Sequence, residues 1–384
     1  MDAVNPTLLA LCLIGGVTSE PAPATPMPEA APPTPAPAPA PHSRAQLFAD
    51  LVAGPIGVFA DGAAPAAGFV LERAELGADF ASLPWVEASV GLEAIRSAGA
   101  QSAFGIDGNS LLARLKHAWA GMTPSFQAVG TDLAFSWRAG LVQEPWLARL
   151  ERYLGTRALG PLPSERAGLW DTSDLGVNAG LAVADGLIAL DVSLRNGEGK
   201  RELELNLDKD VLAMLSSTAR LQVFDEALEV TAAAMMRHGT RGVASTPEER
   251  VALGVGAAHP RLSGGTELVW ARGDEGDAAR DRALAALFMD AHLLERWLGL
   301  SVRAELDWAD AALPESLAAR GALALFTDLG LDGQGAVRRL RLLGGVGGTW
   351  GQAQAAIAGV PAASHELRAF LLLEASGLAW WLAP

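Results

Sequence analysis

Seven charged side chains of both signs crowd between Glu144 and Arg166: Glu144, Arg149, Glu151, Arg152, Arg157, Glu165 and Arg166. They belong to residues 142–173, a stretch without regular alternation, in which 145–152 suits a short helix that sets Arg149 beside Arg152. Such a cluster makes and breaks no bonds. If the stretch folds into a watery space, its side chains form a charged constriction that sorts ions. If it stays outside, they are ordinary solvated charges on an external loop. Residues suited to catalysis are scattered instead. The histidines His42, His117, His238, His259, His292 and His365 offer no pair at metal-ligand spacing. There is no G-x-S-x-G, and the glycines of 344–348 lack the Lys-Ser/Thr of a phosphate-binding loop. His365 beside Glu366 is the only acid–histidine pair a barrel hydrolase could place at its rim, and it stands alone. The expectation is no enzyme, no catalytic residue, no metal and no cofactor.

Composition narrows the partners. The chain has 384 residues, a formal net charge of −15 and only three lysines, Lys116, Lys200 and Lys209. Phosphate neutralisation needs clustered cations, so nucleic acid is not an expected partner. No apolar run reaches the length of a spanning helix, which leaves a closed barrel or an anchor as routes into a membrane. Residues 1–19 resemble a signal peptide: the apolar run 8–17 precedes small residues, although no positive charge comes before it. Cys12 would suit a lipoprotein only poorly, because bulky Leu11 precedes it. Residues 20–43 hold ten of the 23 prolines and read as a disordered Pro/Ala linker, either a periplasmic spacer or a plain tail. The folded part then spans 44–384.

From there the pattern has a period of two. In 301–308, Val302, Ala304, Leu306 and Trp308 oppose Ser301, Arg303, Glu305 and Asp307. Residues 133–141 and 86–94 repeat the scheme. About sixteen such segments follow one another, each near the nine to eleven residues a tilted strand needs to cross a bilayer. They lie near 47–59, 67–78, 86–96, 109–119, 131–141, 174–184, 187–195, 212–223, 228–238, 249–258, 262–272, 281–291, 298–308, 317–327, 336–352 and 365–376. Residues 281–298 read equally well as a helix. The expected fold is all-β, a transmembrane antiparallel up-and-down β-barrel of about 16 strands, with 142–173 as its one long, inward-folding loop. An Arg on the lipid side would cost about 2–4 kcal/mol at the midplane, so the charged row faces the lumen. Its expected pore-lining residues are Arg114, Lys116, Arg138, Arg195, Arg303, Glu305, Asp307, Arg339, Arg341 and Arg368. Asn196-Gly197 reads as a two-residue hairpin turn, with Asp185-Gly186, Asp107-Gly108 and Asp332-Gly333 at other junctions. Trp85, Trp119, Trp270, Trp297 and Trp308 fall at strand ends, where interfacial rings belong.

The run RAGLVQEPW (138–146), the irregular stretch closing in SERAGLWDTSDLGV (164–177), the LRNGEG of 194–199 and the RAELDWAD of 303–310 together resemble the phosphate-selective porin O and P family and its porin-like relatives. The resemblance covers about 47–376. It implies an outer-membrane porin for passive diffusion of small hydrophilic solutes or ions through a water-filled lumen, with a Pro-containing loop folded into the pore. It also implies a homotrimer in outer-membrane lipid of a Gram-negative-type bacterium, reached after export across the inner membrane. Family members specialised for phosphate line their pores with lysine, which is nearly lacking here, so phosphate selectivity is not carried over. The last strand also ends differently, in GLAWWLAP (377–384). The alternative reading is a periplasmic or lipid-anchored soluble binding protein with an Ala/Leu-rich core.

Overall fold

The computed structural model describes residues 44–60, 64–83, 85–96, 111–128, 130–197, 208–223, 225–241, 246–273, 280–294, 297–312, 316–329, 339–351 and 365–382. The signal-like segment, the Pro/Ala linker, Asp107-Gly108 and Asp332-Gly333 lie outside the described residues.

The described strands are β1 (Arg44–Ala60), β2 (Ala66–Leu83), β3 (Val86–Arg96), β4 (Leu111–Met122), β5 (Ser125–Ala128), β6 (Thr131–Gln143), β7 (Ser173–Val183), β8 (Ile188–Arg195), β9 (Asp210–Val223), β10 (Glu226–Arg241), β11 (Thr246–His259), β12 (Leu262–Arg272), β13 (Asp281–Leu294), β14 (Leu298–Trp308), β15 (Leu317–Asp328), β16 (Arg339–Gly351) and β17 (His365–Leu382). Every pairing is antiparallel, and apart from β4 and β5 each strand pairs with its neighbours in the chain. β1 also pairs with β17, from Ala45 opposite Leu382 to Ala60 opposite Glu366, so the sheet closes. β4 and β5 both pair with β6, interrupted only at Thr123-Pro124, where proline has no N–H to give the ladder. Counted as one wall position, they leave a closed sixteen-stranded barrel.

The pattern of exposure inverts that of a water-soluble core. Leu253, Val255, Leu268, Leu323, Leu325 and Val346 are exposed on the outer face, while Arg250, Glu267, Arg303, Glu305, Asp307 and Arg341 are buried inside. Charged residues are almost never buried in soluble domains unless paired, and a broad aliphatic exterior needs an apolar surround. A closed sheet in hydrocarbon satisfies every backbone group within the wall. A soluble protein with a helical Ala/Leu core is therefore not this fold, and Asp281–Leu294 is a strand.

Two local expectations are corrected. Asn196-Gly197 is no two-residue hairpin: β8 ends at Arg195 and β9 begins at Asp210, and Gly197 (φ 102°) donates its N–H to Asp174 Oδ2 at 2.7 Å. The tight turn of that region is Ala184-Asp185-Gly186, with all three residues at positive φ. The stretch 142–173 connects β6 to β7, while residues 97–110 and 352–364 lie outside the described residues. Trp119 faces inward, with the Arg138 guanidinium 4.4 Å from its ring centre. The cause is a bulge at Lys116, which lies between the paired positions Leu115 and His117 and reverses the facing of all that follows in β4.

With its side chain on the outer aliphatic face, Leu253→Arg in β11 should lower unfolding free energy in lipid vesicles by about 2–4 kcal/mol. Denaturant titration of the refolded barrel measures this, and an unchanged midpoint would remove the hydrocarbon from that face.

Candidate functional site, the loop across the lumen

Between β6 and β7 the chain leaves the wall and enters the barrel. Pro145 opens helix α1 (Pro145–Leu150), a 3-10 turn follows at Glu151–Tyr153, and helix α2 (Pro163–Arg166) precedes the return. Proline suits the first helical turn because no N–H is needed there.

Two apolar contacts seat this loop. Trp146, Leu147, Leu150, Tyr153, Leu162, Leu169 and Trp170 pack on Leu212 and Met214 of β9, Met235 of β10, Val269 of β12 and Leu284 and Phe288 of β13. Ala158 and Leu159 pack on Val52 of β1, Phe326 of β15, Leu343 of β16 and Leu372 of β17. Glycines in β11 make the room. A Cβ on Gly256 would stand 2.1 Å from the Tyr153 ring, and one on Gly254 would stand 2.9 Å from Trp146.

Polar anchors fix the register. Glu267, fully buried on β12, accepts from Trp146 Nε1 at 3.1 Å, the Ser164 N–H at 2.8 Å and Ser164 Oγ at 2.6 Å. Arg303 donates to the carbonyls of Thr156, Gly160 and Pro161 at 2.7–2.8 Å. Asp290 accepts the Thr156 N–H at 2.7 Å, and Glu374 accepts the Arg157 N–H and the Thr156 hydroxyl. Each buried charge thus meets donors or acceptors that offset its desolvation.

The loop's charges separate into four groups. Glu144 lies at its root, paired with buried Arg195 at 2.8 Å. Arg149 reaches Asp191 at 3.1 Å and Arg152 reaches Glu229 at 2.9 Å, on the side of β8 and β10. Arg157 meets Glu151 at 3.3 Å and Asp50 at 3.9 Å, near the Arg73–Glu75–Lys116 cluster of β2 and β4. Arg166 pairs with Glu305. Glu165 accepts from Thr172 at 2.9 Å; burial and the neighbouring Glu151 carboxylate push its pKa up. Burial also works against ionised Glu151, but Arg157, Lys116 and Arg73 outweigh it and hold that carboxyl below the usual range.

The ten wall residues divide likewise. Lys116, Arg195, Arg303, Glu305, Asp307 and Arg341 are buried as braces, for example Arg282–Asp307 at 2.9 Å and Arg341–Asp328 at 2.7 Å. Arg114, Arg138 and Arg368 keep side-chain exposures of 24, 41 and 52 %. Arg339 lies on β16, its side chain outside the described residues. His365 and Glu366 point to opposite faces of β17. Among the described residues, no group of three or more His, Cys, Asp or Glu side chains could hold a metal ion.

Residues not foreseen from sequence complete the site. Arg73, Glu75 and Asp50 face the loop, and Glu72 joins them inside because a bulge opposite Val52/Ala53 leaves it between paired positions. Arg320, set among alanines, is the only charge on its strand face before Asp328. Two cavities flank the loop. One, about 250 Å³, lies against β1, β2 and β14–β17 and is edged by Arg166, Arg303, Arg320, Arg368, Glu72 and Glu305. The other, about 390 Å³, lies against β4 and β6–β9 and is edged by Arg138, Arg149, Arg152, Asp191 and Trp119.

Solved outer-membrane proteins, among them one described as a porin and one as a channel, share this barrel fold. The anion-selective porin of Comamonas acidovorans aligns with a TM-score of 0.57 at 14% identity, over 87% of this chain and 99% of that one. The outer membrane channel DcaP of Acinetobacter baumannii gives 0.52 at 12%, over 87% and 97%. OmpT of Vibrio cholerae, an outer membrane protein in trimer form, gives 0.51 at 11%, over 87% and 99%. No family model and no curated protein matches the sequence.

Gly256→Leu should expel Tyr153 and release the loop without opening the wall. Trypsin should then cut at Arg157 or Arg166, while the variant keeps the heat-modifiable gel mobility of a closed barrel. A protease-resistant loop would remove the packing from this account. A carboxyl raised by docking stabilises the docked state most below its ordinary pKa and loses that contribution as pH rises through the raised value. Loop protection should therefore weaken from the ordinary carboxyl range upward, and Glu165→Gln should flatten that dependence in hydrogen exchange of 154–168.

Proposed function

We propose that this chain is an outer-membrane porin through which small hydrophilic solutes and ions diffuse passively along the loop. One observation carries the reading: the ionised row faces a lumen with open cavities on both flanks of the loop, and the aliphatic row faces outward. Diffusion through such a space needs width and a wetted wall and no catalytic group, which supports a channel rather than an enzyme. Location in the outer membrane after export follows from the same barrel reading. The trimer form of the Vibrio cholerae structure supports a homotrimer here. The phosphate-selective porin O and P family stands as the resemblance only. Lys116 is buried against Glu75 at 2.9 Å, so no open lysine track supports phosphate preference.

The constriction is proposed at the loop's charged residues, with Arg149, Arg152, Arg157 and Arg166 as its cations and Glu151 and Glu165 as its acids. Glu144 belongs to the anchor beneath it. The cavity edges favour anions despite the acidic chain: four guanidiniums against two carboxylates on one flank, and three against one on the other. Fixed charge acts where ions pass, and pairs sealed beneath the loop are remote from them.

Reversal potential under a potassium chloride gradient in planar bilayers tests this. The wild type should favour chloride, and Arg149→Ala/Arg152→Ala should move the permeability ratio toward unity. A cation-selective wild type would overturn the preference, and an unchanged double variant would remove α1 from the path.

A further inference from the structure

The cavity beside β14–β17 has an apolar lining as well as a charged one, which is more than a simple ion path requires. The apolar part is Ile56, Leu159, Phe370 and Leu372, with Leu159 and Leu372 buried in the small apolar cluster that seats the loop. Arg368 stands two residues before Phe370 on the same face of β17, and Arg166 and Arg320 line the same space with Glu72 and Glu305. Gly347 and Ala322, in one cross-strand row with Arg368, are too small to fill it. At about 250 Å³ the cavity holds roughly eight waters at ~30 Å³ each, or one small organic molecule.

The guanidiniums are incompletely engaged. Arg320 turns its buried Nη1 toward Asp307 at 3.5 Å and Glu305 at 3.9 Å without a hydrogen bond to either, and about a third of the side chain stays exposed. Arg368 pairs through Nε with Glu366 and keeps half of its side chain exposed. Arg166 shares Glu305 with Arg320. A planar guanidinium recognises a carboxylate by two parallel hydrogen bonds, which gives direction as well as charge. An apolar wall beside it stabilises a ligand body that water does not.

Resting on the porin reading, we infer that this cavity is a binding subsite for small monocarboxylates with an apolar body, the carboxylate toward Arg320 and Arg368 and the body toward Ile56, Leu159 and Phe370. Inorganic phosphate shares the charge but has no apolar part, and acetate has too little. The subsite therefore ranks anions by their apolar surface.

Chloride current through the reconstituted full chain reads this directly, with benzoate, acetate and inorganic phosphate as probes. Benzoate should reduce the current with a midpoint roughly tenfold below that of acetate or phosphate, the yield expected from burying one ring face. Phe370→Ser should erase that advantage and leave acetate unaffected, whereas Arg320→Gln/Arg368→Gln should weaken all three probes. Equal midpoints for the three anions in the wild type would overturn the subsite while the pore reading stands, and that comparison needs no variant to fold. A folded, heat-modifiable barrel that carries no steady chloride current would instead overturn the porin reading itself.

Discussion

Closure of the sheet between β1 and β17 is the constraint on which every other feature depends. An open sheet in hydrocarbon would leave a row of unpaired N–H and C=O groups at each edge, at a cost of several kcal/mol per group. Once Ala45 meets Leu382 and Ala60 meets Glu366, each side chain of the wall has only two destinations, the outer face or the lumen. Facing then follows from position along the strand, and a single extra residue exchanges the two sides. Two bulges use that freedom. One brings both Lys116 and His117 inside and turns Trp119 inward; the other brings Glu72 and Arg73 inside together.

The interior that results is divided rather than uniformly wet. On β9–β13 the inward row carries Leu212, Met214, Met235, Val269, Leu284 and Phe288, which open water would hydrate badly. The loop's tryptophans and Tyr153 cover them. Apolar burial supplies attraction without direction, so register must come from elsewhere. Glu267, Asp290, Arg303 and Glu374 provide it, each placed where the loop backbone offers matching donors or acceptors. Breaking one partner would strand a buried charge, which costs more than the pair itself contributes. The loop is thus a fixed partition, and the remaining openings lie along its flanks.

The wall was legible because its rule is simple. Val302-Ala304-Leu306 against Arg303-Glu305-Asp307 has one physical solution once both faces need different solvents, and the sixteen segments so found coincide with the wall. Bulges were illegible, since nothing in Leu115-Lys116-His117 announces an extra residue. Asn196-Gly197 misled because its dipeptide suits a tight turn, whereas Gly197 here opens a longer connection and binds Asp174. The charged residues of the loop were visible as a cluster, but their partners were not. Pairing of Arg166 with Glu305 or Arg157 with Asp50 joins residues far apart in sequence, which no local pattern encodes. The dry sector did leave a trace: residues 212–215, 232–236 and 284–289 are apolar on both faces, and the loop carries two tryptophans and the chain's only tyrosine.

That division also accounts for an acidic chain having guanidinium-rich openings. The carboxylates on the inner wall are drawn under the loop, because a carboxylate accepts several bonds and the loop offers N–H and hydroxyl donors: Ser164, Thr156, Arg157 and Trp146 among them. Guanidiniums are longer, keep their charge in any surround and carry donors on every nitrogen. Their long stems let the charged heads reach the flanking space, where the Arg138 guanidinium lies over the Trp119 ring. Loop docking and the guanidinium-rich cavity edges are consequently one arrangement seen from two sides: the donors that hold the partition in place draw carboxylates beneath it and leave guanidiniums at the edges.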